Sequence, residues 1–229
     1  MIPLLLVLSA AAFGAAPAKK SSAPQKGKKV TAKTPDPSRA RATLQTDMGD
    51  ITIRFFPDKA PHHVQNFLEL ASKGVYDGVL FHRVIPGFMI QTGDPLTKDA
   101  KTPRESMGTG GYIAPAGEKE QPGFAITNMR SESGSGRIRN VKAEFNDVSH
   151  KRGIVSMARA NDPNSASSQF FIVVKDSTFL DKQYTAFGEV VSGMEVADKI
   201  AAAPRDERDN LKSPVHIKKV VISDAEPGK

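Results

Sequence analysis

Between residues 42 and 222 the large apolar side chains arrive in short runs divided by turn residues, a spacing that suits strands and leaves room for few helices. In residues 42–56 (ATLQTDMGDITIRFF) apolar and polar positions alternate, and Asp47, Met48, Gly49 and Asp50 break the alternation at its middle. Strand side chains point alternately to two faces, so this pattern predicts a hairpin with one buried face. Further strand-like runs lie at 80–84, 87–91, 153–158, 169–174, 186–190 and 215–222. Only two stretches carry helical spacing. Val64, Phe67, Leu68 and Ala71 fall at i, i+3, i+4 and i+7, with Pro61 in the first turn, Lys73 in the last and Gly74 just beyond. The second runs from Val196 to Ala203, where Pro204 ends it. Many short strands with two helices predict a mainly β architecture, a closed sheet or a sandwich.

The 229 residues, 39% hydrophobic, suffice for one well-packed domain with tails. The formal net charge of +7 is concentrated near the start of the chain. Residues 17–39 hold Lys19, Lys20, Lys26, Lys28, Lys29, Lys33 and Arg39 against Asp36 alone, which leaves the body at about +1. Nucleic-acid binding needs cations concentrated on the folded surface, so no nucleic-acid partner is expected. The absence of cysteine excludes disulfides, a thiolate nucleophile and a lipidated cysteine anchor.

Leu4 to Ala12 form an apolar run followed by the small residues Gly14, Ala15, Ala16 and Ala18. This predicts a signal peptide over residues 1–18 and an exported protein, periplasmic or secreted. The run is about half of the ~20 residues that a helix needs to cross a bilayer, so no stable membrane span is expected. Residues 19–40, rich in Lys, Ala, Pro, Ser and Thr, are too poor in large apolar side chains to fold and are expected to be a disordered basic linker.

The five histidines show neither an i, i+4 ligand pair nor an HExxH pattern, so no metal site is expected, and His62 and His63 are expected at the surface. No serine sits in a GxSxG elbow, and the glycines at 108–111 and 133–136 lack the flanking elements of a phosphate loop. What stands out is FHRVIPGFMIQ (81–91), where Arg83 and Gln91 alternate with aromatic and thioether groups. Buried without partners these polar groups would be costly, so they are expected to line an apolar groove. In SSQFFIVV (167–174), alternation puts Phe170 and Phe171 on opposite faces, so that one can be core and the other can line a site.

Together with GTGG (108–111), MARA (157–160) and AFGEVVSGMEVADKI (186–200), these segments closely resemble the cyclophilin family in order and approximate spacing. The resemblance implies an isomerase domain over residues 41–225, built as a closed eight-stranded antiparallel β-barrel with two flanking α-helices. It also implies peptidyl-prolyl cis/trans isomerisation on an outer groove, without a cofactor. Arg83, Phe88, Met89, Gln91, Phe171 and Leu180 match the family's site positions as they stand, and Ala158 matches at an edge. Phe179 stands in place of a common tryptophan, which implies weakened cyclosporin binding; Tyr184 replaces a common histidine and Arg159 a common asparagine. The stretch at about 113–140 looks like a loop insertion.

Arg83 and Gln91 are then the expected catalytic pair. Arg83 would donate to the proline nitrogen of a twisted amide, and Gln91 would orient Arg83 and the substrate carbonyl. Phe88, Met89, Ala158, Arg159, Phe171, Phe179, Leu180 and Tyr184 would hold the substrate, a proline-containing polypeptide, on a monomer. The alternative is a chaperone module that binds proline segments without turnover. A third possibility, an envelope protein acting through its lysine tail, would depend on residues 17–39 rather than on Arg83.

Overall fold

The computed structural model describes residues 36–131 and 134–224; the expected signal segment and most of the expected linker lie outside them. Strand β1 (Ala40–Thr46) and strand β2 (Gly49–Phe55) form the hairpin that the alternation predicts. Ala40, Ala42, Leu44 and Thr46 are buried in β1, and Ile51, Ile53 and Phe55 answer them in β2. Gly49 turns the chain at φ +125°, where a side chain would be strained and would press on Val196.

Helix α1 (Pro61–Ser72) starts without a capping side chain at Ala60. Its first N–H groups need an acceptor, and Glu144 supplies one from far along the chain. Its carboxylate accepts from the backbone N–H of His62 at 3.1 Å and of His63 at 3.0 Å, and contacts His63 Nδ1 at 2.6 Å. His63 is therefore buried, which corrects its expected place at the surface; His62 is half-buried.

The remaining elements are β3 (Arg83–Ile85), β4 (Met89–Thr92), β5 (Phe124–Ser131), β6 (Gly134–Val141), β7 (Ile154–Met157), β8 (Phe170–Val173), β9 (Ala186–Ser192), α2 (Met194–Ala202) and β10 (Ile217–Asp224). Eight strands make one antiparallel sheet in the order β10-β1-β2-β9-β7-β8-β4-β3. The fold is thus mainly β with two helices, but the expected closed barrel is corrected to an open, curled half-barrel. Its edge strands β3 and β10 do not pair as a ladder. The chain beside them makes an isolated bridge, Leu80 to His216, and scattered bonds such as Phe81 N–H to Val215 O. The β3 edge is met instead by the turn that precedes Pro214, through Val84 N–H to Asp209 O, and a proline offers no donor with which to extend a ladder.

The stretch expected as a loop insertion is also more ordered than a loop. Residues 124–131 and 134–141 pair as a two-stranded antiparallel hairpin, with Phe124 opposite Val141 and Thr127 opposite Ile138. Gly134 and Gly136, expected in a loop, lie in β6.

The main core packs one face of the large sheet against both helices, around Phe67, Tyr76, Ile90, Phe170 and Phe187. A second apolar cluster, with Met89, Phe171, Val173 and Leu180, covers part of the other face. No helix among the described residues is long and apolar enough to cross a membrane.

Candidate active site

Strand pairing sets Arg83 opposite Gln91, Gln91 opposite Phe171 and Phe171 opposite Ser156. Directly paired residues share a face of the sheet, so these four form one row across β3, β4, β8 and β7. The adjacent row of Val84, Ile90, Ile172 and Val155 faces the main core. Alternation also separates the two phenylalanines. Phe170 packs in the main core, 5.3 Å from the Phe67 ring and 5.5 Å from the Tyr76 ring, whereas Phe171 belongs to the cluster on the other face.

Where that second cluster stops, its surface opens into a groove of about 630 Å³. All ten residues singled out in the sequence line it: Arg83 and Gln91, with Phe88, Met89, Ala158, Arg159, Phe171, Phe179, Leu180 and Tyr184. Met89, Phe171 and Leu180 are nearly buried and make the floor. The Phe88 and Phe179 rings sit 5.4 Å apart, and Phe179 is 64% exposed, so one wall is apolar yet open to solvent. Tyr184 meets the Phe171 ring edge-on at 5.8 Å, and the Arg159 guanidinium lies 4.7 Å over Tyr184. The Arg83 side chain is exposed and makes no hydrogen bond or ion pair among the described residues.

Gln91 is fixed through Gln169. The Gln169 amide nitrogen donates to Gly108 O at 2.9 Å and Gly110 O at 2.7 Å, so its carbonyl oxygen must accept. It does so from Gln91 Nε2 at 2.9 Å, which settles which way the Gln91 amide points. One N–H and the carbonyl oxygen of Gln91 remain for a ligand, and no hydrogen bond joins Gln91 to Arg83. The loop that Gln169 grips is held from the other side by Asp94, whose carboxylate accepts from Gly108 N–H at 2.6 Å and Gly110 N–H at 3.2 Å. A Cβ on Gly110 would collide with that carboxylate, so the closeness of the loop needs glycine there.

Behind Phe171, the buried His150 stacks at 6.3 Å between ring centroids. Burial lowers its basicity, against the pull of the Asp181 carboxylate. The neutral ring donates from Nδ1 to Asp181 at 3.0 Å and accepts at Nε2 from the Ser156 hydroxyl at 3.0 Å. Asp181 and His150 thus brace the Ser156 end of the row, against the Phe171 ring.

The structure adds lining residues that sequence reasoning missed: His82, Arg104, Glu105, Met107, Thr109 and Arg208. His82 and Thr109 lie in segments already marked, FHRVIPGFMIQ and GTGG; Arg104 and Glu105 lie in a short 3-10 helix (Arg104–Ser106), and Met107 and Arg208 in irregular chain, where no periodicity marks them.

A family model described as cyclophilin type peptidyl-prolyl cis-trans isomerase/CLD matches residues 41–222. A probable peptidyl-prolyl cis-trans isomerase of Brucella abortus is 39% identical over 194 residues, covering 84% of this chain and 86% of its own length. The human peptidyl-prolyl cis-trans isomerase-like 3 is 37% identical over 183 residues, covering 79% of this chain and 94% of its own. A Cryptosporidium parvum cyclophilin type isomerase, crystallised in the presence of the dipeptide Ala-Pro, superposes with a TM-score of 0.62 at 29% identity, covering 80% of this chain and 99% of that one.

Proposed function

The chain belongs to the cyclophilin-type peptidyl-prolyl cis-trans isomerases, and from that premise we propose that its groove seats a proline ring on Met89, Phe171 and Leu180 while Arg83 stabilises the twisted X-Pro amide. Amide resonance sets a barrier of about 18–20 kcal/mol to this rotation. Twisting the bond returns a lone pair to the proline nitrogen, and a donor placed there stabilises the twisted state more than either planar one. No nucleophile is needed.

The observation that carries this reading is the row that joins Arg83, Gln91 and Phe171 on three adjacent strands. It sets a cation with no partner among the described residues beside an apolar floor that excludes water on one side. Gln91, anchored by Gln169, supports the reading by offering one donor and one acceptor to the substrate backbone. Its role falls on the substrate rather than on Arg83.

Cis-to-trans exchange of a short X-Pro peptide tests the proposal. The full chain should accelerate exchange, and Arg83→Ala should lower kcat/KM by about a hundredfold, the scale of removing one preorganised donor. Arg83→Lys should recover little, because an ammonium lacks the planar fork. A folded Arg83→Ala protein with parental turnover would sink the assignment. Phe179, at the open wall, supports weakened cyclosporin binding, and Phe179→Trp should tighten it if so. We also propose export, on the strength of residues 1–18; expression of the full chain in a bacterial host should give a shortened product outside the cytoplasm, and a full-length cytoplasmic product would refute it.

A further inference from the structure

We propose that the groove selects X-Pro segments bearing an acidic side chain beside the proline, with Arg159 as the selecting cation; this rests on the isomerase reading above and adds a substrate class to it. Four arginines line the groove, Arg83, Arg104, Arg159 and Arg208, against one carboxylate, Glu105. Two of the four have carboxylate partners: Arg104 Nη1 lies 2.9 Å from Asp206, and Arg208 lies 4.0 Å from Glu105. Arg83 is assigned to the proline nitrogen. Arg159 is left as a cation with no carboxylate within ion-pair distance among the described residues.

Arg159 is also held still. Its Nε donates to Gln183 O at 3.1 Å, and its Nη1 donates to Ala160 O at 2.8 Å and Asn161 O at 3.2 Å. Its plane rests over Tyr184, whose ring touches the Phe171 floor. Carbonyl acceptors fix a guanidinium without cancelling its charge, and the two N–H groups on Nη2 stay available to a carboxylate. Because the side chain is already ordered, an incoming anion meets a cation whose rotamer entropy is already lost. Arg159 further lines a smaller adjoining hollow of about 180 Å³ with Thr109, Ser165 and Gln169. Arg159 therefore borders both groove and hollow, with its guanidinium over Tyr184 of the groove wall. The body of the protein is close to neutral, so this positive rim is local.

The test compares kcat/KM for three peptides, Ala-Xaa-Pro-Ala with Xaa Glu, Gln or Lys, and for the matching Ala-Ala-Pro-Xaa set, with the full chain at pH 7.5. At low ionic strength the Glu to Gln ratio should be about two- to fivefold in one of the sets, the range of an exposed ion pair, with Lys poorest. The ratio should shrink towards one at about 0.5 M salt. In Arg159→Gln it should fall to near one at low salt as well. The ratio is the readout because it is insensitive to a general loss of activity, and because the lysine-rich tail is the same in both proteins. Equal rates for Glu and Gln peptides in the parent, or a preference that survives in Arg159→Gln, would overturn the inference while leaving the isomerase reading intact. If no peptide is accelerated by the parent, the isomerase reading fails and this inference fails with it.

Discussion

His82 is the residue whose surroundings suit its chemistry least. It is buried between the groove and the Asp94 loop, and neither ring nitrogen has a hydrogen-bond partner among the described residues. An unpaired buried polar group lowers stability by about 1–3 kcal/mol. Burial also pushes its basicity down, with Asp94 pulling it back up. The unfolded chain takes up a proton as pH falls through about 6.5, whereas the native ring, held below that value, takes it up only at lower pH, so folding weakens as pH drops below about 6.5. The loss is at most about 1.4 kcal/mol per pH unit for one proton. His150, whose basicity is also lowered by burial, acts with the same sign. Carboxylates held below their ordinary range, such as Glu144, matter only at more acid pH. Urea unfolding should therefore show the parent less stable at pH 5.5 than at pH 7.5, and His82→Leu should show a smaller drop. A parent whose stability is flat across that window would contradict the account.

The β5–β6 hairpin shows why one element escaped the sequence. Its inward positions include Arg139, which is 1% exposed, where an alternating pattern would call for an apolar side chain. Arg139 reaches Glu69 at 2.9 Å, Asn66 at 3.0 Å and Glu118 at 3.3 Å, and lies 4.7 Å over the Tyr112 ring. These partners come from α1 and from the loop before β5, so the buried cation fastens the hairpin to the body by contacts that no local period announces. The β1–β2 hairpin was legible because each inward position is apolar apart from Thr46, or small, and because turn residues separate the two halves. Removing the Arg139 cation would leave the Asn66 carbonyl oxygen without its donor and Glu69, 31% exposed, with Lys73 alone, a loss on the scale of an unpaired buried polar group, about 1–3 kcal/mol. Arg139→Leu should lower urea stability by about that amount. A loss under about 0.5 kcal/mol would mean that the hairpin is a mere appendage, as surface substitutions are.

At the scale of the molecule, one sheet carries a core on each face, and only the second is open to solvent. That division was half readable: a period of two puts Phe170 and Phe171 on opposite faces, but which of them joins Arg83 and Gln91 is set by strand pairing, and only the family resemblance pointed to Phe171. The charged rim was not, because Arg104 and Arg208 are brought in by pairings such as Arg104 with Asp206, which span about a hundred residues and leave no periodic trace. The closed barrel was overstated for a related reason: strand order is set by long-range pairing, and the β3 edge is met by a turn instead of a strand. Two neighbouring phenylalanines separate the tasks of the faces. Phe170 touches Phe67, Tyr76 and Phe187 in the main core, so Phe170→Ala should cost about 3–5 kcal/mol of stability. Protein that remains folded should keep most of its turnover, because the groove floor lies on the other face. Phe171→Ala opens space that groove water can enter, so its loss of stability should be the smaller of the two, whereas kcat/KM should fall by about tenfold or more through loss of the proline seat. Urea titration and peptide exchange on both variants, at a temperature where each is folded, check the crossing. If Phe170→Ala impairs turnover per folded molecule as much as Phe171→Ala does, the two faces are not independent and the groove is set by the packing of the whole sheet.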